Sequence, residues 1–329
     1  MNNDERIWDV IIVGGGCAGL SAAIYLGRAM RRVLLIDGGQ SLALWEPDVQ
    51  NYFGFPEGIS GEELIKRGKF HAEKYGAKII TDEIGEASRS EKEFVLEGKT
   101  GSYRAKRVLL ATGVLHIPPD IPHVKECLGH SMFFCKDCDG YRNRGKKIVI
   151  VGQNNEAVEY ALGMLCYASC VLVATNGKPS TWDNEHSRWI SEYEIPVFQS
   201  RIIAVDQQDG VLKTLTFEDG RCVEVDALFT TRGDIIHNKL GKALGAKLDP
   251  AGQIAVDHCM KTSVAGLYAA GCVTPSNCQM IIAAGDGATG GQAINRDLFE
   301  ESLRNHALRC FRAEQVENEQ TEPVETKPA

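Results

Sequence analysis

The sequence predicts an α/β protein with two Rossmann-like dinucleotide-binding domains and small antiparallel layers, and three observations carry that expectation. Gly14, Gly16 and Gly19 stand in GxGxxG order after the apolar run 10–13 and open a helical stretch of small residues. A degenerate second copy, GQNNEA at 152–157, lies between the strand-like run 146–151 and another helical stretch. Between the two copies sits FFCKDCDG at 133–140, with Cys135 and Cys138 at the spacing of a redox dithiol. Repeated strand, turn and helix units on one chain mark two dinucleotide-sized domains.

The chain has 329 residues, of which 43% are hydrophobic, enough apolar surface for two cores. A polar start that runs straight into a strand pattern, and no bilayer-length apolar run, give the expectation of a soluble, cytoplasmic protein without a membrane partner. A formal net charge of -8 without a basic face argues against a nucleic-acid partner. Eleven cysteines is an odd count, scattered through apolar segments such as those of Cys166 and Cys170. We read most of them as buried free thiols and not as a disulfide framework.

In the first unit Gly14 permits the tight turn, Gly16 lets the backbone approach a pyrophosphate, and Gly19 lets the helix pack on the strand. The helix N-terminus then faces the phosphates. The next apolar run, 33–36, ends in Asp37, placed to accept hydrogen bonds from a ribose. Residues 51–77 read as a loop giving way to an amphipathic helix. In the second unit the strand 146–151 leads through the turn to a helix over 158–165 and a strand over 171–174. Beyond residue 197, alternation with turn signals at 208–210 and 219–220 predicts a short antiparallel layer. Prolines near 117–122 and glycines near 241–245 suggest the domain limits: 1–118 with 245–312, and 119–244 inserted between them. Residues 313–329, acidic and poor in apolar side chains, read as a disordered tail.

Cys135 and Cys138 as half a zinc site would need a second CxxC or an HxxxH pair, which the sequence lacks, so no metal is expected. Two structural thiols or a redox dithiol remain. Gly129 and Gly140 flank the pair and leave the backbone room to present it. A CxxC dithiol cycles with its disulfide by exchange with a partner. Asp139 follows directly, either as an acid-base group or as a helix N-cap.

Residues 51–76, VLLATG at 108–113 and GLYAAGCVTPSNCQMIIAAGDGATGGQAIN at 266–295, taken with the fingerprint and the dithiol, resemble bacterial thioredoxin reductases over roughly residues 9–303. The resemblance implies FAD on the first domain, held by Gly14, Gly16, Gly19 and Asp37. It adds contacts from Asn51, Thr112, Gly113, Gly271, Cys272, Gln279 and Ala283. It implies that Cys138 faces the flavin, that Cys135 attacks a partner disulfide, and that Asp139 shuttles a proton. A homodimer and a thioredoxin-like or other disulfide protein as partner follow from it too. Residues 285–293 are expected to open the helix that points at the flavin ring. Cys272 stands where the family carries an acid, and we read it as a small buried residue that weakens one flavin contact.

The second turn departs from the nicotinamide-dependent members. Asn154 replaces the middle glycine, and the strand ending at 173–177 is followed by neither the arginines that grip a 2'-phosphate nor an acid for a ribose. Arg188 lies too far along to substitute. NAD(P)H is therefore not expected. Gly152, Asn154, Asn155, Glu156 and Trp182 make a possible second dinucleotide site, where Trp182 and Trp189 would stack on a heterocycle. The pattern resembles the pyridine-nucleotide-independent branch: ferredoxin-dependent flavin thioredoxin reductases, and cyanobacterial diflavin-linked disulfide oxidoreductases with a second FAD. The basic run Arg142, Arg144, Lys146 and Lys147 would suit an acidic redox protein such as ferredoxin. The expected function is an FAD-dependent thiol-disulfide oxidoreductase. A dithiol oxidase passing electrons to oxygen and a redox-sensing flavin module are the alternatives.

Overall fold

The computed structural model describes residues 7–90, 93–231 and 233–308. The expected tail at 313–329 lies outside them. Strands β1 (Trp8–Val13), β2 (Val33–Asp37), β3 (Lys78–Thr81), β4 (Ile84–Arg89), β5 (Phe94–Gly98) and β6 (Ser102–Leu110) form one sheet in the order β3-β2-β1-β6-β5-β4. β6 also takes the late strand β17 (Leu267–Ala269) in parallel at its C-terminal end. The β1–β2, β1–β6 and β2–β3 pairs are parallel, and β4–β5–β6 is an antiparallel flap. Val10, Ile11 and Ile12 are fully buried because both faces of this parallel region are covered, which is why the run does not alternate.

Helices α1 (Cys17–Arg28) and α2 (Gly61–Lys74) cover one face of the sheet together with the 25-residue helix that follows β17. The inserted domain begins after β7 (Val114–His116). It holds a five-stranded parallel sheet of β8 (Met132–Phe133), β9 (Lys147–Val151), β10 (Cys170–Ala174), β11 (Val197–Phe198) and β15 (Ala227–Thr230), in the order β11-β10-β9-β15-β8. The short helix α3 (Lys136–Asp139) carries the CxxC, and α4 (Asn155–Met164) and α5 (Asn184–Glu192) flank the sheet. The expected antiparallel layer is β12 (Ile202–Gln208), β13 (Val211–Phe217) and β14 (Cys222–Glu224), which buries Leu212, Leu215 and Phe217 against β9 and β15. The chain returns through β16 (Asp234–Ile236), antiparallel to β7, so the two crossings between domains lie side by side.

Two sequence expectations are corrected. The chain rejoins the first domain before residue 245: Leu240 of α6 (Lys239–Ala243) is buried with Leu110, Ile254 and Val273. Gly245, with a φ of 84°, ends that helix and does not mark a domain edge. Residues 285–293 do not open the last helix either, since α7 (Met280–Arg304) begins five residues earlier. Their glycines serve packing instead: a Cβ on Gly287 would collide with the Ala18 backbone, and one on Gly291 would press on Ala22. α1 and α7 thus touch backbone to backbone. Replacing Gly287 by Val should overpack this contact and cost about 1–3 kcal/mol, read as a lower midpoint in thermal unfolding, whereas Gly285→Ala, where a Cβ meets open space, should change it little.

Candidate active site

A cavity of about 470 Å³ opens at the C-terminal ends of β1 and β2, the position where parallel α/β sheets bind ligands. The sequence-selected residues Gly14, Gly16, Asp37, Asn51, Thr112, Gly113, Gly271, Cys272, Gln279 and Ala283 all line it. Gly19 does not. It sits beneath the turn, where a Cβ would collide with the Gly14 carbonyl, so it sets how closely α1 approaches β1. Gly14, at a φ of 115°, makes the turn itself.

The N-terminus of α1 has no side-chain cap, because its N-cap is Gly16. A Cβ there would meet only Ser41 Oγ at 3.4 Å, so the first-turn amides face free space. Burial pushes the Cys17 thiol up to about 11, which keeps it neutral beside this turn. An uncapped helix N-terminus in a cavity is an anion site, and the residues fit the pyrophosphate of FAD. Asp37 accepts from Gly39 N at 2.9 Å and pairs with Lys69 Nζ at 2.7 Å, so its carboxylate is held at the cavity edge. Thr112 and Gly113 also fasten the returning chain: Thr112 Oγ1 donates to the His237 carbonyl at 2.7 Å and His237 N to the Gly113 carbonyl at 3.1 Å.

Cys135 and Cys138 form a disulfide that lines the same cavity. Gln279, the N-cap of α7, reaches across the domains and places its Nε2 3.2 Å from both sulfurs, while its Oε1 accepts from Asn51 Nδ2 at 3.0 Å. Cys135, not Asp139, caps α3: its Sγ accepts from the Cys138 amide at 3.1 Å. That bond would stabilise negative charge on Cys135 Sγ once the pair is reduced, which favours Cys135 as the nucleophile.

Asp139 is the last residue of α3, buried at 5% exposure, and pairs with Arg142 at 2.7 Å. Desolvation raises its carboxyl to about 7. Arg142 pulls it back down and Glu46 adds to the rise. Glu46 of the first domain lies 3.6 Å from the same guanidinium and is raised as well, chiefly by burial. His116 stacks on Phe134 at 4.7 Å and bonds Asp234 at 2.5 Å across the β7–β16 pair. Glu46, His116 and Arg142's pairing were not legible in the sequence, since nothing local links residue 46 to residue 142.

The second turn is built differently. Asn154 caps α4, its Oδ1 accepting from the Ala157 amide at 3.3 Å. Asn155 is locked to Asp183 by two hydrogen bonds of 2.9 Å, and His186 helps to hold the Asp183 carboxyl at about 2. Glu156 is raised by burial and by the carboxylates of Asp234 and Glu159. Gly152 keeps the tight approach of the turn to Ala157. Trp182 packs against the domain core, and Trp189 lies edge-on to His186 of its own helix. Arg188 pairs with Glu185 and Glu192 of its own helix.

Three further expectations are corrected. The basic run is not one docking face: Arg142 points inward to Asp139, Lys147 pairs with Glu224 at 2.7 Å, and Arg144 lies over the Tyr141 ring. Nor are the cysteines mostly buried. Among the described free thiols Cys127 is buried while Cys166, Cys170 and Cys222 are exposed, Cys166 lying just past α4 and Cys170 being the first residue of β10. Cys272 is not a solitary small residue either, since it forms a disulfide with Cys278. Two cysteines six apart in a loop carry no local pattern that announces pairing. Among the described residues no cluster suited to a metal ion is present.

An uncapped dinucleotide turn and a CxxC disulfide lining one cavity define the class of flavin-dependent disulfide oxidoreductases. The chain belongs to the pyridine nucleotide-disulphide oxidoreductase family, whose model matches residues 8–288. Within it the chain is of thioredoxin-reductase type. It is 31% identical to the thioredoxin reductase of Bacillus subtilis, over 92% of this chain and 99% of that one. To that of Treponema pallidum it is 33% identical, over 88% and 96%. The solved thioredoxin reductase of Streptococcus pyogenes superposes with a TM-score of 0.84 at 25% identity, covering 89% of this chain and 99% of that one. FAD is the cofactor expected for the family.

Asp139 should therefore govern a pH dependence. Its native carboxyl, raised from 3.8 to about 7, holds a proton that the unfolded chain has already lost, so its contribution to stability is full below 3.8 and disappears as pH rises through about 7. Asp139→Asn should flatten the fall of the thermal midpoint across that window and slow dithiol-disulfide turnover by about 10²-fold. Unchanged turnover in a folded variant would remove Asp139 from the proton path.

Proposed function

We propose that this protein is an FAD-dependent thiol-disulfide oxidoreductase that works without NAD(P)H, acting on a thioredoxin-like protein disulfide as the relatives' names indicate for them. The observation that carries the proposal is the contrast between the two helix N-termini. α1 offers free amides to a pyrophosphate, whereas α4 spends an amide on Asn154 and is fenced by Asp183, Glu156, Glu159 and Asp234. A dinucleotide laid on α4 in the usual pose would meet carboxylates where nicotinamide enzymes supply cations.

When bound, FAD supplies a carrier for an electron pair beside the Cys135–Cys138 disulfide. The chain's own groups do the rest. Gln279 holds the disulfide at the cavity wall, and Gly14, Gly16, Thr112, Gly271 and Ala283 shape the space that seats the cofactor. In the reduced pair Cys135 attacks a partner disulfide, one partner sulfur leaves with a proton, and Cys138 then displaces the other sulfur and re-forms the Cys135–Cys138 bond. Asp139, next in sequence to Cys138, held by Arg142 and able to carry a proton near neutral pH, is the donor.

Two donors satisfy the constraint at α4. One is a ferredoxin-type protein docking from outside. The other is a second FAD, held in a pose that avoids the acidic fence. A homodimer, as the resemblance implies, and a cytoplasmic location complete the proposal.

Anaerobic titration of the holoprotein tests it. NADPH and NADH should bleach the flavin at least about 10²-fold more slowly than in a nicotinamide-dependent thioredoxin reductase, and stoichiometric bleaching at catalytic speed would overturn the reading. Counting flavin released on denaturation separates the donors: two per chain favours the second FAD, and one per chain with rapid bleaching by reduced ferredoxin favours the protein donor.

A further inference from the structure

Two disulfides share the wall of one cavity. Cys135–Cys138 comes from the inserted domain, and Cys272–Cys278 from the loop between β17 and α7. Cys278 directly precedes Gln279, the residue whose side chain touches both Cys135 and Cys138. Cys278 is exposed and Cys272 half-buried, so this second pair runs from the cavity to the surface.

The loop does not need the bond to hold its shape. Thr274 N and Oγ1 both bond the Gly271 carbonyl, at 2.8 and 2.7 Å, and Gln253 Nε2 holds the Thr274 carbonyl at 2.8 Å. Gln279 N donates to the Asn277 carbonyl at 2.8 Å just before α7 begins. A cross-link six residues long, added to a loop already fixed at both ends, constrains little unfolded-state freedom.

We propose that Cys272 and Cys278 are a second redox-active pair, which takes electrons from the Cys135/Cys138 dithiol in the domain arrangement described and presents them at the surface through Cys278. The step is disulfide exchange and balances without another reagent. A thiolate of the CxxC pair attacks Cys278 Sγ, the Cys272–Cys278 bond breaks, and Cys272 leaves as a thiolate that takes up the proton. The remaining CxxC thiol then displaces Cys278, so Cys135–Cys138 is re-formed as disulfide and Cys272/Cys278 becomes the dithiol. The inference rests on the Cys135/Cys138 pair being redox-active.

Thiol trapping on the holoprotein tests it. The protein is reduced anaerobically with dithionite, quenched in acid and alkylated, and the labelled cysteines are identified by peptide mass spectrometry. Wild type should carry label on both pairs. In the Cys135→Ser, Cys138→Ser double variant, with its flavin absorbance retained, label on Cys272 and Cys278 should be lost. A second measurement reads proximity alone: with Cys272→Ser combined with either Cys135→Ser or Cys138→Ser, mild oxidation should trap Cys278 in a disulfide with the remaining CxxC thiol in at least one of the two variants.

Unlabelled Cys272 and Cys278 in wild type whose Cys135 and Cys138 are fully labelled would make the second bond a structural cross-link. Equal labelling in the double variant would show electrons arriving by another route, and absence of the trapped disulfide in both variants would deny the contact. Each overturns the relay alone. No label on either pair overturns the relay together with the redox reading of the CxxC.

Discussion

A helix N-terminus has about four backbone donors without an intrahelical partner, and a capping side chain takes up one that a ligand's anion would otherwise reach. This chain makes the choice both ways. At α1 the cap is glycine and the amides open into a cavity lined by both domains. At α4 the cap is Asn154, and the space in front of it belongs to Asp183 and its partners. The same strand-turn-helix unit therefore presents free first-turn amides in one domain and a side-chain-capped turn flanked by carboxylates in the other. Which residue stands third in the turn decides it.

The redox pair depends on contacts that cross between the domains. Gln279 at the head of α7 touches both sulfurs, and Arg142 is shared by Asp139 of its own domain and Glu46 of the other. Removing one partner from a buried ion cluster leaves its charge stranded, at a cost of about 3–5 kcal/mol. Asp139 escapes part of that cost because it can hold a proton near neutrality. The crossings themselves are laid together as the β7–β16 ladder, with His116 bonded to Asp234 across it. The arrangement that presents the disulfide to the cavity is thus held at three separate points, all away from the bulk of either core.

The parts legible in the sequence were those encoded locally. GxGxxG after the 10–13 run, the repeat at 152–157 and CxxC each specify a backbone shape within about ten residues, and each stands where its pattern says. Misreadings came where one residue type serves two physical ends. Glycines 285–293 looked like a helix start, but Gly287 and Gly291 are close-packing positions against α1. Gly245 looked like a linker and is a helix stop. The basic run 142–147 looked like a patch, yet its members are engaged separately, Arg142 with Asp139, Arg144 with the Tyr141 ring, Lys146 with Asn143 and Lys147 with Glu224.

Cysteine shows most plainly why composition underdetermines chemistry. An odd total spread over apolar segments says nothing about which sulfurs meet, since pairing is a property of the Cα separations that the fold creates. Cys135 and Cys138 meet because a helical turn joins them. Cys272 and Cys278 meet because the Gly271–Thr274 turn folds the loop back before α7. The turn is fixed by the Gly271 carbonyl accepting twice from Thr274, and α7 is seated by its glycines on α1. Packing between two helices therefore sets where Gln279 and Cys278 lie, and with them the side of the cavity from which the CxxC pair is met.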